Sequence, residues 1–106
     1  MALIKERGTP IKATATHGTL ASAAVAGVAD TQYFVTTASA SSDKAGSILL
    51  VKDGTTVIWQ EQVGAGRAFL TFDPPLPATV GALVSIEIDG TSACKANLAG
   101  VAIKIP

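Results

Sequence analysis

Ser47-Ile48-Leu49-Leu50-Val51-Lys52-Asp53-Gly54-Thr55-Thr56-Val57-Ile58-Trp59-Gln60-Glu61-Gln62-Val63 reads as two extended runs about an Asp-Gly turn. Both runs are dense in β-branched and aromatic residues, which fit a pleated, half-buried surface. Asp53-Gly54 tolerates the positive φ angles of a type I′ turn, whose twist matches the flanking strands, so the stretch predicts a β-hairpin. Ile48-Leu49-Leu50-Val51 is apolar on both faces. A strand of that kind must be covered on both sides, and a two-layer sandwich covers only one.

Working outward, the period of the apolar residues stays near two, which argues for strands. Residues 11–16 alternate weakly and predict an edge strand with one apolar face. Residues 32–37 (Gln-Tyr-Phe-Val-Thr-Thr) predict a second strand, and the small, polar residues 38–46 predict a loop. Downstream, Gly64-Ala65-Gly66 predicts a turn into a strand at 67–72. Pro74, Pro75 and Pro77 are expected to end it, because proline donates nothing to a ladder. Residues 82–88 predict a strand closed by Asp89-Gly90, and residues 93–97 and 100–105 supply a final, bent strand. Residues 20–29 read as strand or, from their alanine content, as helix. About seven to eight antiparallel strands spaced by turn signals predict an all-β, single-domain β-sandwich over 11–106, preceded by an arm at 1–10 that is free or ordered on a partner.

The 106 residues are 48% hydrophobic, 5% aromatic and 15% charged, with eight basic and eight acidic side chains. One domain fits that length. Zero formal charge argues against the broad basic footprint of a nucleic-acid binder, so no direct nucleic-acid partner is expected, and it leaves little self-repulsion to oppose association. Residues 20–29 are too short an apolar run to cross a bilayer, so no membrane partner is expected. Charges in residues 1–7 interrupt any secretion signal, so synthesis in a reducing cytoplasm is expected.

The chemical inventory is thin. Cys94, the only cysteine, sits among small residues and reads as a buried small hydrophobe; activation by His17 and Lys95 would need a long-range contact. Glu87 and Asp89 share a strand face and could in principle hold calcium or flank a glycosidic bond, but they read as a solvated face entering a turn. Asp43 and Asp53 occupy positions where aspartate bonds its own backbone. Gly64-Ala65-Gly66-Arg67 lacks the lysine, the hydroxyl residue and the helix of a phosphate loop. No catalytic, metal-binding or cofactor-binding residue is expected, and no enzyme. Trp59 shares a face with Val57 and Glu61 by simple alternation. It reads as a core or subunit-interface residue, or, with Tyr33, as a sugar-stacking platform.

Residues 45–59, followed by Phe69-Leu70-Thr71-Phe72-Asp73-Pro74-Pro75-Leu76-Pro77, resemble small all-β virion proteins of tailed bacteriophages. In that group a Gly-started strand, an Asp-Gly hairpin and a Phe-Asp-Pro-Pro-Leu turn recur. The resemblance covers roughly residues 30–106 and rests on turn chemistry. It implies a jelly-roll-like sandwich on the outer surface of the virion head, a capsid decoration or cement protein that binds the major capsid protein and self-associates as a dimer or trimer. It implies no catalytic residues. If residues 1–10 form an arm on the shell, Leu3, Ile4, Lys5 and Arg7 are the contact candidates. The alternative is a receptor- or carbohydrate-binding module of a phage head fibre or tail adhesin.

Overall fold

The computed structural model describes residues 8–105. These form eight strands: β1 (Thr9–His17), β2 (Leu20–Val25), β3 (Thr31–Ser42), β4 (Ile48–Asp53), β5 (Thr56–Gln62), β6 (Gly66–Pro77), β7 (Val84–Asp89) and β8 (Cys94–Lys104). All pairings are antiparallel, in two four-stranded sheets ordered β1-β8-β3-β6 and β2-β7-β4-β5. Only β4 and β5 form a hairpin of consecutive strands; every other connection crosses between sheets. This is the double-sheet order of an eight-stranded jelly roll. The fold class read from the sequence holds.

Residues 20–25 resolve as strand. Ala21 and Ala23 face inward and are buried, while Leu20, Ser22 and Ala24 face outward. Small inward residues matter at this flank, because β1 and β2 are the edges of opposite sheets and pack together through Ala13, Ala21 and Ala23. The opposite flank, between edges β5 and β6, is held by an edge-to-face pair of Trp59 and Phe72 with ring centroids 5.2 Å apart. Between the flanks, Val35, Leu49, Val51, Val84, Ile86, Ile88 and Leu98 are wholly buried and form the centre of the core. Leu49 and Val51 face this core, and Ile48 and Leu50 face out from the second sheet, so the doubly apolar strand keeps one uncovered apolar face.

Several sequence expectations need correction. The hairpin turns at Gly54-Thr55, with Asp53 opposite Thr56, one residue later than Asp53-Gly54. Gly54 alone has positive φ, 61°, as the first central residue of a type II′ turn requires. The stretch 38–42 is not loop but the second half of β3. Ala and Ser have little strand preference of their own; ladders to β6 on one side and β8 on the other hold them extended. The prolines do not end β6. It is an edge strand, and residues 72–75 bulge between the Thr37–Thr71 and Val35–Leu76 pairs, where no ladder donor is required. The last strand is one continuous element. Finally, a bulge at Ile58 pairs Val51 with Trp59 but Lys52 with Val57. Trp59 therefore faces inward and Val57 outward, on opposite faces rather than the same one.

Among the described residues no buried side-chain nitrogen or oxygen lacks a hydrogen-bond partner. Ser47 Oγ donates to the Gly64 carbonyl (2.7 Å), and its own carbonyl accepts from Val63 and Gly64 N–H. The mouth of the hairpin is tied there.

Candidate interaction surface

Of the residues singled out from sequence, Leu3, Ile4, Lys5 and Arg7 lie outside the described residues. Tyr33 is 3% exposed, and its hydroxyl donates to the Ala26 carbonyl. Trp59 is 39% exposed but turned inward against Phe72. The two do not make a stacking platform. Trp59 is a wedge at the open flank, and Trp59→Ala is expected to cost about 1–2 kcal/mol of stability, less than a fully buried tryptophan would, as a shift in denaturant midpoint would show.

The titratable groups are structural. Cys94 is buried, and its Sγ lies 3.3 Å from the His17 carbonyl rather than the ring. The His17 imidazole turns away, its Nδ1 accepting from Thr19 and Leu20 N–H at the β1–β2 turn. Glu87 pairs with Lys52 at 2.9 Å and Asp89 with Lys44 at 2.6 Å. Asp53 and Asp43 bond distant segments rather than their own backbone. Asp53 accepts from Thr79 N–H and hydroxyl, fixing the hairpin against the segment after β6. Asp43 accepts from Thr91 and Ser92 N–H and from the Ser92 hydroxyl, clamping the β3–β4 and β7–β8 connections. Among the described residues no three His, Cys, Asp or Glu side chains gather as a metal site, and no helix is long and apolar enough to cross a membrane.

These clamps predict the acid response. The Ser92 hydroxyl first, then the Ser92 and Thr91 amides, hold the Asp43 carboxyl far below its ordinary value of 3.8. The Lys44 ammonium likewise lowers Asp89. A carboxyl with a depressed folded pKa contributes stability above its unfolded pKa and loses it as pH falls through the folded value. Melting temperature is therefore expected to be level near neutral pH and to fall below about pH 4. Asp43→Asn is expected to lower it at neutral pH and flatten the acid limb. An unchanged acid limb would contradict this role for Asp43.

Ladder register places the outward side chains of the β1-β8-β3-β6 sheet in rows. One row reads Thr16, Lys95, Ser41, Arg67; the next reads Thr14, Asn97, Ser39, Phe69; a third reads Lys12, Ala99, Thr37, Thr71. Ser39, Ser41, Arg67, Phe69, Lys95 and Asn97 line one open depression of about 570 Å³. Phe69, at 72%, is the most exposed large apolar side chain described. Sequence reasoning passed over it. The signal was the parity of residues 67–72, where inward Leu70 and Phe72 leave Arg67, Phe69 and Thr71 pointing out. On the other sheet Leu20, Ile48 and Leu50 face outward beside the ion-paired Glu87 and Asp89, around a smaller depression of about 230 Å³.

No protein-family model and no curated protein matches the sequence. Among solved structures, the chain is similar to the tobacco streak virus coat protein at 8% identity, covering 94% of this chain and 88% of that one, with a TM-score of 0.53. Fainter likenesses connect it to the pilus protein of Bacillus endospore appendages (10% identity, 93% and 91% covered, TM-score 0.46) and to the CBM36-1 domain of a multidomain xylanase from the hindgut metagenome of Trinervitermes trinervoides (12%, 92% and 98%, 0.41). At these identities the likeness to the coat protein is one of fold: an all-β jelly roll, shared along nearly the whole of both chains.

Proposed function

We propose that the chain is a non-enzymatic virion structural protein that decorates the outer surface of a tailed-phage head, binds the major capsid protein and stabilises the shell. The observation that carries this reading is the jelly-roll fold, shared with a viral coat protein over 94% of the chain. The outward apolar residues Ile48, Leu20 and Phe69 support it, since each leaves apolar area for a partner to cover. Self-association as a dimer or trimer would supply part of that cover, and repetition over a symmetric shell would multiply modest contacts.

The test is add-back. Heads assembled without this protein are heated with and without the purified chain, and DNA release is followed. The reading expects saturable binding and release at a higher temperature. Release at the same temperature, with no protein retained on the heads, would overturn it.

A receptor- or carbohydrate-binding role in a head fibre or tail adhesin is the second reading. Exposed Phe69 beside Ser39, Ser41 and Asn97 favours it, since an aromatic face above hydroxyls and an amide suits a sugar ring. Retention on a glycan array, lost in Phe69→Ala, would support that reading.

A further inference from the structure

We propose that the outer face of the β1-β8-β3-β6 sheet is the docking face of the molecule, and that its partner is an acidic segment of a shell protein with an apolar pocket for Phe69. The inference rests on the virion reading and deepens it by assigning a surface and a partner chemistry.

The first argument is charge. The chain is neutral overall, yet its charges are not evenly placed. The three rows on this face hold Lys12, Lys95 and Arg67 and no acidic residue; the exposed Asp73 of β6 lies outside them, in the bulge past Thr71. Among the described residues, the ion pairs formed are Lys44–Asp89 and Lys52–Glu87, so none of these three cations is engaged. Asp43, beyond the end of the sheet, is occupied by the 91–92 turn. The opposite sheet presents Glu87 and Asp89 already matched by lysines, which leaves it with little net field. Lys95 and Arg67 flank Ser41 on neighbouring strands, so their backbones stand about 10 Å apart. That spacing suits two carboxylates on one extended segment better than a single bidentate anion.

The second argument is the form of the apolar contact. Phe69 stands on edge strand β6 with none of the described residues covering it, the form of an anchor that enters a pocket on a partner. The three rows hold no second aromatic, and Phe34, the other aromatic on this face, is half-buried in the next row beside Val101 and Pro77, so successive sugar rings would find one fully open stacking surface. The polar row beside it is already internally bonded: the Thr14 hydroxyl donates to Asn97 Oδ1 (2.9 Å), and the Asn97 amide donates to the Ser39 hydroxyl (3.4 Å). What remains unengaged is positive charge and one aromatic ring, which favours an acidic protein surface over a neutral glycan.

The third argument is size. The three rows across four strands cover roughly 20 by 20 Å, about half of what one partner contributes to a standard stable interface. A single copy would hold weakly, and many copies on a shell would hold by number.

The experiment measures sedimentation of purified protein with heads assembled without it, across protein and salt concentrations. The variants are Arg67→Glu/Lys95→Glu, Phe69→Ala and, on the opposite sheet, Gln60→Ala. All four replaced side chains point into solvent, and each variant's thermal unfolding is recorded as a check on folding. The expected result is apparent affinity weakened about tenfold or more by the charge reversal and by Phe69→Ala, with Gln60→Ala unchanged and wild-type binding weakened by salt. Folded variants that bind as the wild type does would overturn the docking face and leave the virion reading standing. Wild-type protein that fails to bind heads would overturn the virion reading itself. Retention on an acidic glycan such as alginate, through Phe69 and without binding to heads, would replace the proposed partner with a saccharide.

Discussion

Ile86→Ala is expected to lower the free energy of unfolding by about 2–5 kcal/mol, the range for removing a large aliphatic side chain from a closed core. Ile86 is 0% exposed on β7, between Val51 of β4 and Ala23 of β2. The centre is built of Val, Leu and Ile already packed against one another, and alanine fills the β1–β2 flank beside it, so neighbours have little spare bulk with which to refill the void. Domains of this size hold only about 5–15 kcal/mol in all, so the variant should show a large fall in denaturant midpoint at unchanged slope. A loss under about 1 kcal/mol would mean that the inner layer is far looser than its burial indicates.

The second large effect is at Gly100. It sits on β8 opposite Val35, beside the point where β3 shifts register between Val35 and Thr37. A β-carbon there would overlap the Phe34 carbonyl oxygen, a backbone atom that cannot rotate away. Gly100→Ala must therefore push β8 and β3 apart, and it is expected to cost about 1–3 kcal/mol. Gly18→Ala is the matched control. Its new β-carbon would lie 3.5 Å from the Ser92 carbonyl oxygen, an ordinary contact, so its effect on melting temperature should be small. Equal losses in the two variants would point to a general glycine effect rather than close strand approach.

The two effects share a cause that also marks what the sequence could reveal. The β4–β5 hairpin was legible because its signals are local: β-branched runs, a glycine turn and a short separation. The fold class was legible from many such runs together. The order β1-β8-β3-β6 was not, because Thr9 meets Ala102 and Thr31 meets Lys104 across most of the chain, and no local propensity encodes those pairings. Residues 38–42 looked like loop because Ala and Ser prefer nothing strongly; two neighbouring ladders decide their state. The prolines of β6 looked like a stop because the strand's edge position, which tolerates them, is itself a product of topology. The same gap hid the candidate surface. Lys12, Phe69 and Lys95 lie on three different strands, and only register brings them to one face. Trp59, the one tryptophan, reads from the sequence as a core or interface residue or as a platform, and nothing local signals the bulge at Ile58 that turns it inward and puts Val57 on the outside.

The most direct measurement of the central claim is a density-gradient separation of particles from the source that makes this protein, with each fraction probed for the chain by mass spectrometry. The account predicts that it travels with full heads, persists in tailless particles and is present at many copies per shell. Absence from every particle fraction, or presence only with detached tails and fibres, would contradict it.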